Sequence, residues 1–182
     1  KLFFDAHLMC SKPEILLEPF ARAGANQIDI HVELGEAVTP LLWKIRSLGC
    51  KAGLVINPPT SIALVAPYLE EIDFLLIMTV NPGFGGQSFI HEMLPKIQKA
   101  QAWRRERGLD FKIGVDGGVD FKTVAECARA GADTFISGST LFGRPNLNAA
   151  VRKMRKAAEA AVGQAGVAAP AGPEPAGARK AN

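Results

Sequence analysis

Cysteine is scarce in this sequence. Cys10, Cys50 and Cys127 lie far apart, are odd in number, and include no CxxC pair. That excludes a disulfide framework and a zinc ribbon, and it fits a reducing, cytoplasmic setting. No apolar run reaches the length of a membrane span and no secretory pattern is present, which argues against a membrane partner. Aromatic residues make up only 7% of the chain. The basic clusters Arg104-Arg105-Glu106-Arg107 and Arg152-Lys153-Met154-Arg155-Lys156 therefore lack the interleaved stacking platform of a nucleic-acid surface, and read as solvated helix faces. Net charge is also small, at +3. The chain opens at Lys1 with strand-like residues and no initiating methionine, so further sequence upstream is expected.

What remains is a chain of 182 residues, 48% hydrophobic, long enough for one domain with a real core. Strand-like and helix-like segments alternate. Strands are predicted over residues 2–9, 27–33, 51–57, 72–80, 111–116 and 134–137. Helices are predicted over 14–23, 36–48, 60–69, 92–107, 121–130 and 146–161, with a short turn from Ser139. Ser11 and Thr60 are the expected N-caps of the first and third helices, and glycines close several others. The phrase Ala23-Gly24-Ala25-Asn26 returns as Ala130-Gly131-Ala132-Asp133, each time before a strand. Strict alternation predicts a parallel sheet covered by helices. Six βα units are counted where a closed (β/α)8 barrel needs eight, which predicts a TIM-barrel type lacking its first two units. Residues 1–162 form the expected incomplete barrel. Residues 163–182, rich in Ala, Gly and Pro, are an expected disordered tail.

The stretch from Met78 to Phe89, MTVNPGFGGQSF, carries the strongest chemical signal. An aliphatic strand breaks into a turn with three glycines, whose backbone N–H groups can approach an anion closely. A helix-like segment follows, and its N-terminal dipole would favour a phosphate. Val115-Asp116-Gly117-Gly118 and Ile136-Ser137-Gly138-Ser139 repeat the device at the next two strand ends. A barrel often holds phosphate at its last strands, so these ends predict a phosphate pocket beside the carboxylate of Asp116. Strand alternation places Asp5, His7 and Met9 on one face, and Asp29, His31 and Glu33 on one face of the next strand. His7 and Asp116 are the candidate metal ligands, with nitrogen and oxygen donors suited to zinc, iron, manganese or cobalt. His31 and Glu33 read as structural or supporting groups, and His91 as a surface residue. Met9 and Met78 are either core fillers or an apolar floor beneath a reacting carbon. Asp120 and Thr123 read as helix-start residues.

His7-Leu8-Met9, Asn81-Pro82-Gly83-Phe84-Gly85-Gly86-Gln87-Ser88-Phe89, Val115-Asp116-Gly117-Gly118 and Gly138-Ser139 together resemble the ribulose-phosphate 3-epimerase family, over Leu2 to about Ala160. The resemblance implies a (β/α)8 barrel that interconverts ribulose 5-phosphate and xylulose 5-phosphate. It implies one divalent metal ion (Zn, Fe, Mn or Co) held by two histidines and two aspartates, with His7 and Asp116 among them. Asp116 would also be one of two acid/base carboxylates acting through an enediolate. His7, Gly83, Phe84, Gly85, Gly86, Asp116, Gly117, Gly118, Gly138 and Ser139 would line the substrate and phosphate site. The family's other ligands lie on its second strand, which has no counterpart here. A small phosphosugar is the implied partner, with a homo-oligomer possible. A related epimerase of allulose 6-phosphate, or an inactive truncated phosphate-binding barrel, is the alternative. The related decarboxylase and aldolase group needs Asp-x-Lys-x-x-Asp on the first strand present here, where Asp5-Ala6-His7 puts histidine in place of lysine.

Overall fold

The computed structural model describes residues 2–165. Six parallel strands pair in strict sequence order: β1 (Asp5–His7), β2 (Gln27–His31), β3 (Lys51–Ile56), β4 (Phe74–Met78), β5 (Lys112–Asp116) and β6 (Thr134–Ile136). The α-helices are α1 (Glu14–Arg22), α2 (Val38–Ser47), α3 (Leu94–Glu106), α4 (Thr123–Ala130), α5 (Ser139–Phe142) and α6 (Leu147–Ala165). This is a sheet of (β/α)-barrel type, with six units as expected. The tail expected from residue 163 begins inside α6, and its remainder, 166–182, lies outside the described residues.

Period-two alternation gives the sheet two unlike faces. Ala6, Ile28, Ile30, Leu54, Ile56, Leu75, Ile77, Ile113 and Val115 face the helices and are buried with Leu17, Leu42, Ile45 and Ile97. This is the main core. The opposite face carries a small apolar cluster of Val55, Phe74, Leu76 and Met78. In-register neighbours hold polar groups, His7 beside Asp29 and Asp29 beside Gly53. Asp29 fits only because residue 53 is glycine: a Cβ there would stand 1.8 Å from Asp29 Oδ1.

Several local expectations change. Ser11 caps nothing; α1 starts at Glu14 with Pro13 in the cap position and no side-chain cap. Ser61, not Thr60, accepts from the Ala63 N–H, and the segment behind it is a 3-10 helix, Ile62–Tyr68, containing Pro67. A tighter turn tolerates the missing proline N–H better than an α-helix interior does. Glu33 leaves the sheet for a 3-10 segment, Val32–Ala37, broken at Gly35 (φ 62°). Arg104 is not a solvated basic residue. Its guanidinium donates to Phe111 O, Gly131 O, Gln101 Oε1 and Asp133 Oδ2, tying α3 to the entrances of β5 and β6. Cys50 and Cys127 are buried free thiols, and Cys10 is half-exposed. Among the described residues no helix is long and apolar enough to cross a membrane.

Candidate active site

A cleft of about 930 Å³ opens at the carboxyl ends of β4, β5 and β6. Its walls bring together Met9, Met78, Gly83, Phe84, Gly85, Gly86, Asp116, Gly117, Gly118, Gly138 and Ser139. Every sequence-predicted site residue except His7 therefore lines one cavity. Its size suits a small metabolite.

The three strand ends are fastened to one another. Thr79, fully buried directly after β4, donates its hydroxyl to Asp116 O at 2.9 Å and Gly117 O at 2.5 Å. Its N–H also bonds Asp116 O, and its carbonyl accepts from Ile90 N. Thr79 thus fixes the peptide that carries Asp116 and draws the glycine loop back onto the sheet. Gly117 (φ 117°) and Gly118 (φ 62°) turn the chain in the left-handed region. A Cβ on Gly118 would meet the Phe89 backbone at 2.5 Å. Glycine at 118 is what lets the two loops touch. Gln87 spans the base of its own loop, donating from Nε2 to Asn81 O and Phe84 O.

One expected feature is absent at the glycine turn. The next α-helix begins only at Leu94, beyond a 3-10 turn at His91–Met93, so no α-helix N-terminus abuts Gly83–Gly86. The intervening Gln87–Ile90 runs without regular structure. The α5 helix after Gly138 has only four residues. These strand ends are therefore backed by loop backbone and not by the N-terminus of a long helix. Phe84, 84% exposed, stands at the rim. Asp120 caps the start of α4, accepting from Lys122 N and Thr123 N, as expected. His91 is exposed and pairs with Glu126 at 3.2 Å.

Burial alone raises the Asp116 carboxyl above its ordinary range. A carboxyl destabilised as an anion is a stronger base, which suits proton transfer near neutral pH. On β1, burial and then the neighbouring His31 lower the His7 imidazolium to about 4, so His7 is neutral at pH 7. His7 Nε2 lies 2.8 Å from His31 Nε2, and His31 Nδ1 lies 3.2 Å from Glu33 Oε2. A neutral imidazole can bind a metal ion, but among the described residues no group of three or more His, Cys, Asp or Glu converges as a metal centre. His7 and Asp116 supply two donors where a protein-held ion takes three or more.

Sequence reasoning left Thr79, Asn57 and Lys96 without roles. The one available signal was Thr79, a polar residue closing an aliphatic strand, which must find partners if buried.

The chain matches the family model described as the ribulose-phosphate 3 epimerase family over residues 1–142. It is 44% identical over 142 residues to the ribulose-phosphate 3-epimerase of Serratia marcescens, covering 78% of this chain and 68% of that one. It is 42% identical over 151 residues to the Escherichia coli K12 enzyme of the same name, covering 83% and 67%. Among solved structures it resembles KGPDC from Streptococcus mutans, with TM-score 0.66, 16% identity, and coverage of 87% and 72%. It also resembles 3-hexulose-6-phosphate synthase from Salmonella typhimurium, with TM-score 0.62, 18% identity, and coverage of 81% and 68%. Those two likenesses concern the fold alone.

Proposed function

The chain belongs to the ribulose-phosphate 3-epimerase family, and from that premise we propose that it epimerises D-ribulose 5-phosphate to D-xylulose 5-phosphate at C3, with Asp116 as an acid/base residue. One observation carries the reading: a half-buried carboxyl of raised pKa shares a single cleft with three glycine-bearing strand ends.

The C3 proton is acidified by the adjacent C2 ketone. The Asp116 carboxylate takes that proton on one face of the sugar, leaving a planar enediolate. Completing the epimerisation needs a second carboxylic acid to give its proton to the opposite face of C3 as Asp116 keeps the one it took. The family resemblance assigns that group to an aspartate of the family's second strand, and none of this chain's residues is given the role. Near-neutral proton transfer asks for a carboxyl lifted above its usual range, and such transfer contributes about 10²–10⁴-fold. The phosphate is remote from C3 and serves as a handle. Gly83, Gly85 and Gly86, with Gly117, Gly118, Gly138 and Ser139, leave the backbone open to its oxygens. Binding energy gained there holds C3 at the carboxylate. Met78, buried at the end of β4, would form an apolar floor beneath the enediolate, whereas Met9 is 63% exposed and stands at the cleft's edge, not in its floor or the core. Phe84 covers the mouth when the loop closes.

The family is generally metal-dependent. His7 and Asp116 are the donors this chain would offer a divalent ion such as zinc, iron, manganese or cobalt. Two donors do not fill a coordination sphere, so no step here is routed through the ion. The same family membership supports the pentose phosphate pathway as the setting. Residues 1–162 would act as the phosphosugar-binding unit.

The test is a substrate panel of ribulose 5-phosphate, allulose 6-phosphate and ribulose without its phosphate. Turnover is expected for the first, with kcat/KM reduced by orders of magnitude for the sugar lacking phosphate. Equal turnover with and without phosphate would overturn the assignment of the glycine loops.

A further inference from the structure

Behind His7, away from the glycine cleft, lies a chain of side chains that the proposed proton transfer does not use. His7 Nε2 faces His31 Nε2 at 2.8 Å, so one of these nitrogens carries a proton and the other accepts it. At its other end, His31 Nδ1 has two suitors, each at 3.2 Å: Glu33 Oε2, which can only accept, and Asn57 Nδ2, which can only donate. The choice at Nδ1 dictates the proton on His7. If Nδ1–H donates to Glu33, His31 Nε2 is an acceptor, His7 donates from Nε2, and the lone pair of His7 stands on Nδ1. If Asn57 donates to Nδ1, His31 donates from Nε2 and the His7 proton moves to Nδ1.

Surrounding contacts favour Glu33. Its Oε1 accepts from Asn57 N at 3.0 Å. Lys96, from α3, donates its ammonium to Asn57 O at 3.3 Å, Pro58 O at 2.7 Å and Thr60 O at 2.6 Å, which clamps the turn after β3 against Glu33. Although burial opposes it, hydrogen bonds from Thr60, from the Asn57 N–H and from its own backbone hold the Glu33 carboxyl below its ordinary range, and a bond to a charged carboxylate is roughly twice as strong as one between neutral groups. We propose that Glu33 and His31, with Lys96 behind them, are positioning residues that hold the His7 proton on Nε2 and leave its Nδ1 lone pair free.

The proposal rests on His7 belonging to the epimerase site, but its test does not need turnover. The chain has three histidines, and His91, paired with Glu126, serves as an internal control. Long-range nitrogen–proton NMR reads which nitrogen of each ring is protonated. In the parent chain His7 is expected to be protonated at Nε2. Glu33→Gln, nearly isosteric and only partly buried, offers Nδ1 an amide donor instead, and the His7 pattern is expected to invert while His91 stays fixed. Lys96→Met is expected to give a mixed pattern, and Asn57→Ala to preserve the parent one. A parent His7 protonated at Nδ1, or an unmoved His7 in folded Glu33→Gln, would overturn the proposal. Supporting groups of this kind are worth about 10- to 100-fold, so kcat of Glu33→Gln should fall by that factor at unchanged KM. Inverted tautomers with unchanged kcat would keep the chain of protons but remove His7 from the reaction.

Discussion

Three glycines of the cleft allow backbone strain and steric conflict to be separated. Gly85 has ordinary φ and open space where a Cβ would go. Gly86 has the same open space but φ +76°. Gly118 has φ +62°, and its Cβ would stand 2.5 Å from Phe89 N and 2.7 Å from Phe89 Cα. Alanine at 85 therefore meets no obstacle, and its smaller unfolded-state entropy gives a change between zero and a gain of about 1 kcal/mol. Alanine at 86 bears the left-handed cost of about 1–2 kcal/mol. Alanine at 118 bears that cost and must also push back a main chain fixed by the Ile90 N–H to Thr79 O bond. Overpacking of this kind adds about 1–3 kcal/mol, for a total of about 2–5 kcal/mol. Urea unfolding of the three variants, followed by far-UV circular dichroism, measures all of these. The order Gly118→Ala, then Gly86→Ala, then Gly85→Ala is expected, from most to least destabilised. Equal losses, or a cheaper change at 118 than at 86, would refute the claim that loop contact, and not turn conformation alone, requires glycine at 118.

Thr79→Val keeps the shape but removes the hydroxyl that donates to Asp116 O and Gly117 O. A loss of about 1–3 kcal/mol is expected from the buried acceptors left behind, with kcat falling more than KM rises. Unchanged stability and kcat would remove Thr79 from the account. Asp29 is fully buried, and burial and then the nearby Asp5 raise its pKa well above normal. Burial raises Asp5 too. The native pair thus holds protons that the unfolded chain has released. Stability therefore falls as pH rises from about 4 through the raised native range, by about 1.4 kcal/mol per pH step for each proton so held. Asp29→Asn should flatten that slope and raise Tm at pH 8. An identical slope with a lower Tm would contradict the burial argument.

Much of the fold was legible because it depends on local rules. Strand-like runs alternating with helix-like ones located all six strands, and period two put Asp29, His31 and His7 on the face opposite Ile28, Ile30 and Ala6. The carboxyl-end cleft followed from glycines at three successive strand ends. What was illegible depends on contacts distant in sequence. Lys96 meets carbonyls 36 to 39 residues away, and nothing in the spacing of α3 marks it. Arg104 looked like one more charge in a basic run until its partners at Phe111, Gly131 and Asp133 were in place. The helix after the glycine turn was read from Glu92 and starts at Leu94; what stayed hidden is the path of Gln87–Ile90 between them, set by Ile90 bonding back to Thr79, which keeps the helix N-terminus away from the glycines.

The central claim is that Asp116 moves the C3 proton of a phosphoketose. Proton NMR of ribulose 5-phosphate in D₂O, incubated with the chain, observes that proton directly. The account predicts xylulose 5-phosphate and deuterium at C3 with the parent chain. With folded Asp116→Asn, exchange should slow by orders of magnitude. Parent-like exchange by that variant, or none by the parent, would contradict it.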